Sequence, residues 1–157
     1  MTDDGLRARI RRQLRLHEGF RARAYKDSRG IWTAGIGRNL EDRGLTRREV
    51  IDLLQIVDMP ETFAVRLLDS DIEDCLAELR AWLAWFDGLD EVRQVALCDM
   101  SFQLGITGLL KFRLMLQAMA ARNWDEAERQ ALDSDWARQT PNRAREVARS
   151  LRTGSTS

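Results

Sequence analysis

Glu18, Asp27 and Thr33 lie nine and then six residues apart within "EGFRARAYKDSRGIWTAGIG", residues 18–37. An acid, a second carboxylate and a hydroxyl are the groups that cleave an acetal. Hydrolysis of a glycosidic bond needs a proton for the leaving oxygen. It also needs a carboxylate on the far side, to activate water or to attack carbon directly. The acid must keep its proton near neutral pH, which calls for partial burial, whereas the base belongs in polar surroundings. Glu18 continues the spacing of Leu6, Ile10 and Leu14, so it is expected to share their partly buried face. Asp27, between Lys26, Ser28 and Arg29, is expected to be ionised. The hydroxyl of Thr33 is placed to hold a water beside it, and Gly35 and Gly37 have no side chains to keep a sugar off the backbone. Residue types alone favour the plainer reading, since a helix-end Glu, a turn Asp and a strand Thr occur in most proteins.

The elements that must position these groups are legible in outline. Residues 3–19 carry a helical stripe with Arg7, Arg11 and Arg15 on a wet face, and Gly19 breaks it. "RARAY" and "IWTAGI" are strand-like runs around the turn "KDSRG", which predicts a small antiparallel hairpin. Thr46 and Glu49 have capping-box spacing, so a short helix starts there. From Pro60 to Phe86 there is no glycine, and Phe63, Leu67, Leu68, Ile72, Leu76, Leu79, Leu83 and Phe86 keep helical spacing. A helix of that length would span about 40 Å, too long for one side of a small lobe, and reads as a strut joining two lobes. Shorter helices follow at about 90–103, 108–121, 124–133 and 141–153. Asn123 and Thr140-Pro141 start the last two, Gly154 stops the last, and the tail "TGSTS" is expected to be loose. The expected fold is α+β and mostly helical. One domain spans 1–157: an N-terminal lobe with a short antiparallel hairpin or sheet (1–59), a linking helix (60–86) and an all-helical C-terminal lobe (87–157).

Composition narrows the class. Apolar residues make up 44% and charged residues 32% of the 157, the balance of an ordinary globular chain rather than a disordered one. No stretch has the length of a transmembrane helix, and the N-terminal residues lack the apolar core of a signal peptide. The expectation is synthesis in a cytoplasm, with any export depending on another agent. One histidine, His17, and two distant cysteines, Cys75 and Cys98, argue against a protein zinc site and for packed, reduced thiols. Net charge is zero but uneven. Residues 1–26 hold eight Lys/Arg and three acids, residues 41–99 six Arg and fifteen acids, and residues 138–152 five Arg and one acid. Basic ends suit a polyanion if they meet, and a solvated surface equally well. No recognition-helix motif accompanies those arginines, so nucleic acid is not an expected partner.

The quoted stretch resembles the signature of phage-type lysozymes, glycoside hydrolase family 24, the family of the lysozyme of T-even bacteriophages. That signature runs Glu-Gly, Tyr-Lys-Asp, a turn, then Thr-x-Gly-x-Gly. The similarity continues through "SFQLGITGLLKF", "NWDEA", "QTPNRAREV" and "LRTG". The resemblance implies a catalytic triad at Glu18, Asp27 and Thr33 and a lysozyme-like fold with its cleft between two lobes. The implied substrate is peptidoglycan, cut by inversion at the β-1,4 bond between N-acetylmuramic acid and N-acetylglucosamine, with Asp27 as base. It implies sugar contacts at Gly37, Asn39, Phe102, Gln103, Met115 and Gln130, with Arg143 pairing the catalytic Glu, Tyr25 near the cleft and Trp136 packed in the C-terminal lobe. Arg38, Asn39, Met115 and Gln130 depart from the T-even enzyme, which bears on sugar and peptide preference rather than on the reaction. Arg38 stands where that enzyme has a His paired with an Asp on its long helix, so an ion pair with Asp71 is expected. An endolysin of this kind is expected to be a monomer without cofactor, metal or stable membrane association. It would reach the wall from the host cytoplasm after release by another protein. A wall-binding protein without activity would not need the acid–base pair, and a lytic transglycosylase typically lacks the second carboxylate.

Overall fold

The computed structural model describes residues 11, 12 and 14–154. The chain divides into two compact units, Met1–Met59 and Pro60–Ser157. Leu6, Ile10 and the last three residues of the tail lie outside the described residues.

In the first unit, helix α1 is described at residues 11, 12 and 14–18. It stops where Gly19 turns left-handed at φ 68°, its N–H still donating to the carbonyl of Arg15 at 3.1 Å. Leu14, the described member of the stripe expected to be buried, is 50% exposed. Strands β1 (Arg21–Lys26), β2 (Trp32–Gly35) and β3 (Arg38–Asn39) form an antiparallel sheet in the order β1-β2-β3. The predicted hairpin thus gains a third strand, because Gly37 at φ 66° lets the chain reverse again after Ile36. Helix α2 (Arg47–Leu54) opens with the expected capping box, Thr46 and Glu49 each bonding the other's backbone N–H.

The second unit holds the core. Helix α3 (Glu61–Trp82) is shorter than the expected run to Phe86. Leu83 leaves the helical region at φ −118°, ψ 86°, and a 3-10 turn at Phe86–Gly88 follows. Apolar spacing carries on past the helix end because that turn sends Leu83 and Phe86 into the same core. Helix α4 (Glu91–Leu110) bends at Gly105, φ 71° and ψ 162°, inside the expected gap between two helices. It then resumes as far as fully buried Leu109, so the next helix, α5 (Arg113–Ala120), starts five residues later than the sequence suggested. Helix α6 (Trp124–Leu132) and helix α8 (Pro141–Thr153) match their expected spans. A one-turn helix, α7 (Asp135–Gln139), lies between them, capped by Ser134. Thr140 does not cap α8 with its side chain; its hydroxyl donates to the carbonyl of Trp136 at 2.9 Å. Leu79, Phe86, Leu97, Met100, Met119 and Leu151 are fully buried, each contributing about 1.5–3 kcal/mol through lost apolar hydration.

Arg93 is buried among them. Its Nε donates to the Leu151 carbonyl at 2.7 Å and its Nη2 to the Arg152 carbonyl at 2.6 Å. The guanidinium also pairs with Asp90 and lies 3.8 Å over the ring of Trp124. One side chain from the start of α4 therefore satisfies the last carbonyls of α8, a demand every helix C-terminus makes.

Candidate active site

The sheet of the first unit organises the three candidate catalytic residues. Asp27 sits in the turn between β1 and β2, closed by its N–H to the Ile31 carbonyl (2.9 Å) and by the Gly30 N–H to its own carbonyl (2.9 Å). Its Oδ1 accepts the backbone N–H groups of Arg29 at 2.8 Å and Ile31 at 3.0 Å. The Arg29 guanidinium lies 3.4 Å from its Oδ2. The Ile31 N–H, outweighing the opposing effect of burial, and then Arg29 hold the Asp27 carboxyl below the usual carboxylate range. It is an anion, as the sequence suggested.

Thr33 is 5% exposed and stands opposite Tyr25 across the β1–β2 ladder. Its hydroxyl donates to the Ile31 carbonyl at 3.1 Å, which leaves the oxygen's lone pairs to accept a hydrogen bond from water. One peptide residue, Ile31, thus steers both groups: its N–H holds Asp27 and its C=O holds Thr33. Sequence reading overlooked Ile31, whose aliphatic side chain carries no chemical signal. The i to i+4 turn spacing from Asp27 is the only hint it offers.

Glu18 is the last helical residue of α1 and is exposed. The partial burial expected for it is absent: the described residues of α1 are exposed as well, and its carboxylate meets the hairpin on one side. That side is Gly37. A Cβ added there would lie 2.9 Å from Oε2 of Glu18 and 3.0 Å from its Cδ and Cγ. Only a glycine lets Glu18 rest on the backbone between β2 and β3.

The remaining candidates fall in several places. Asn39 pairs with Thr33 across β2–β3, and its Oδ1 accepts the N–H groups of Glu41 and Asp42, both at 2.9 Å, so it shapes the following turn. Arg38 bonds the Gly44 carbonyl at 3.0 Å and Glu49 at 3.3 Å, tying β3 to the start of α2 within the first unit. Asp71, named above as its expected partner, is an exposed residue of α3 in the second unit.

In the second unit, Met115 and Gln130 line a cavity of about 510 Å³ together with Phe112 and Trp136. Met115 is 1% exposed, so it forms the floor of that cavity. Gln103 reaches the same neighbourhood by accepting the indole N–H of Trp136 at 2.8 Å, and Phe112 meets that indole edge-on with centroids 6.0 Å apart. Trp136 is core, as expected. Phe102, half exposed, faces a different cavity of about 220 Å³ with Arg143 and Asp99 on its lining. Arg143 is held there by an ion pair with Asp99 at 2.7 Å. Among the described residues no group of three His, Cys, Asp or Glu could hold a metal, and no single helix is long and apolar enough to cross a membrane.

A family profile described as phage lysozyme matches residues 15–152. The chain is 31% identical to the pre-baseplate central spike protein Gp5 of Enterobacteria phage T4 over 98% of its own length, but spans only 29% of that protein. It is 29% identical to the Dictyostelium discoideum protein named Probable T4-type lysozyme 1, covering 92% of this chain and 94% of that one. A second Dictyostelium protein of that type is 27% identical with the same coverage.

Proposed function

Because this chain belongs to the phage lysozyme family, we propose that it is a muramidase. In this reading it hydrolyses the β-1,4 bond between N-acetylmuramic acid and N-acetylglucosamine in peptidoglycan, with inversion. The observation that carries the reading is the double use of Ile31, which aligns an ionised Asp27 with the hydroxyl of Thr33 on one hairpin. Glu18, seated on Gly37 of the same sheet, supplies the acid.

The chemistry then runs in one displacement. Asp27 takes a proton from a water that Thr33 orients, and the water oxygen attacks the anomeric carbon. Glu18 gives its proton to the departing glycosidic oxygen, so the bond to the leaving sugar breaks as the bond to water forms. The sugar emerges with the opposite anomeric configuration. Gly37 and Asn39 in the first unit, and Phe102, Gln103, Met115 and Gln130 in the second, are the proposed sugar contacts, with Arg143 and Tyr25 in support. A host-lytic role, acting on the wall after another protein opens the route from the cytoplasm, belongs to the same proposal, as does a monomeric state.

The test is loss of turbidity in a suspension of purified peptidoglycan, followed by mass spectrometry and nuclear magnetic resonance of the products. Reducing N-acetylmuramic acid ends released as the α-anomer are expected. Anhydro-muramic ends would replace hydrolysis by transglycosylation, and binding without turbidity loss would reduce the chain to a wall-binding protein.

A further inference from the structure

The chain's two cysteines lie on different helices, Cys75 on α3 and Cys98 on α4, and both are free thiols. The helices pack together so that Sγ of Cys75 is 3.8 Å from the carbonyl oxygen of Cys98. The Cys75 thiol points at that backbone carbonyl, and both cysteines line the same cavity of about 220 Å³ beside Leu68 and Ile72. The hydrolysis described above uses neither of them. A disulfide requires two cysteines whose backbones lie close together, and this packing brings Cys75, 23 residues before Cys98, to that residue's carbonyl at the wall of one shared cavity. We propose that Cys75 and Cys98 are a redox pair that closes into an intrachain disulfide by exchange with a small-molecule disulfide, stapling α3 to α4.

The exchange balances as follows. One cysteine thiolate attacks a sulfur of oxidised glutathione, and a glutathione thiolate leaves. The second cysteine thiolate attacks the protein sulfur of that mixed disulfide, and the other glutathione leaves. Two electrons and the two thiol protons end on two glutathione thiols, and one protein S–S bond has formed. Burial above all, with Cys75 alongside, pushes the Cys98 thiol up to about 12, and Arg80 on α3 opposes this only in part. Asp99 of α4 and Arg143 of α8 carry the charges lining the same cavity. Scarce thiolate makes closure slow near neutral pH and faster in alkali, so the pair stays open in a reducing compartment and closes on long exposure to an oxidising one.

The staple would act on the candidate site's support. Cys98 directly precedes Asp99, the partner of Arg143, and lies one helical turn before Phe102. Locking Cys98 to α3 holds that turn of α4 in place. The proposal goes beyond the muramidase reading, and its test uses no substrate.

The experiment takes the reduced full chain, confirmed folded by circular dichroism, and incubates it with oxidised glutathione at mildly alkaline pH. Expected are loss of both titratable thiols and a mass lower by two hydrogen atoms with no glutathione retained. A linked Cys75–Cys98 peptide should appear after digestion. The unfolding midpoint should rise by roughly 5 °C or more, reversed by dithiothreitol. Cys75→Ala and Cys98→Ala should each abolish the midpoint shift. Thiols that stay reactive in the folded chain would overturn the proposal. So would glutathione retained on either cysteine, disulfide-linked dimers, or a cross-link that forms only in denaturant. The wild-type mass and thiol count decide the question even if a variant folds poorly.

Discussion

Glu18 rests against a residue with no side chain, and that contact can be tested one atom at a time. Glu18→Gln keeps the shape and removes the transferable proton. Peptidoglycan lysis should fall by at least about 10²-fold with the thermal midpoint unchanged, as turbidity and circular dichroism would show. More than about a tenth of the activity remaining would remove Glu18 from the role of acid. Gly37→Ala is the complementary change. Its Cβ would meet Glu18 at 2.9 Å on a backbone at φ 66°, so it should lose both activity and about 1–2 kcal/mol of stability. Gly30→Ala is the control: φ is 78° there but the space around a Cβ is open, so stability should drop while lysis by the folded fraction persists. Asp27 gives a pH signature. Its folded pKa is depressed, so its contribution is present above the unfolded value of about 3.9 and lost as pH falls through the lower, folded one. Unfolding curves across that acid range should show less pH dependence in Asp27→Asn than in the parent, and an identical slope would refute the hydrogen bonds from Ile31 and Arg29 as its cause.

At the scale of elements, the second unit's cavity is shaped by the contact between α4 and α7. Trp136→Phe removes the indole N–H that Gln103 accepts and keeps most of the ring contact with Phe112. The expected cost is about 1–2 kcal/mol, read from urea unfolding. Activity should fall further if Gln103 contacts sugar, since its amide would lose its anchor. Arg38 and Glu49 link β3 to α2 with both side chains substantially solvated. Arg38→Met should therefore cost less than about 1 kcal/mol, most of it removable with salt.

Over the whole molecule, the described core belongs to the second unit, where Arg93 ties the start of α4 to the end of α8. The contacts from Arg93 to Leu151 and Arg152 span 58 and 59 residues of chain. Arg93→Leu would strand two carbonyls near the end of α8 and the Asp90 carboxylate, at a cost of about 2–4 kcal/mol by chemical denaturation. Gly154→Ala should weaken the same closure, because its Cβ would sit 2.7 Å from Nη1 of Arg93 on a left-handed backbone. If Arg93→Leu unfolded at the parent's denaturant midpoint, the closure would have no energetic weight.

Local signals carried much of the fold. Caps at Thr46 and Asn123, the stop at Gly154 and the spans of α6 and α8 were legible because each rests on residues within one helical turn of each other. The hairpin that carries Asp27 and Thr33 was legible for a related reason, since it is a short-range structure whose turn composition is local; the roles proposed for them and for Glu18 rest on the resemblance to the phage-type lysozyme signature. The sequence misjudged whatever depends on which side of an element is covered. Apolar spacing ran through Leu83 and Phe86 because a turn and a helix can bury the same face, so periodicity alone did not mark the end of α3 at Trp82. The stripe through Leu14 was no guarantee of burial for Glu18, since covering a face takes a partner surface that periodicity does not specify. Backbone groups were invisible too. The Ile31 peptide that sets Asp27 and Thr33, the Leu151 and Arg152 carbonyls that place Arg93, and the approach of Cys75 to Cys98 follow from folded geometry. A main-chain N–H or C=O is the same in every residue but proline, and only tertiary structure decides where it points.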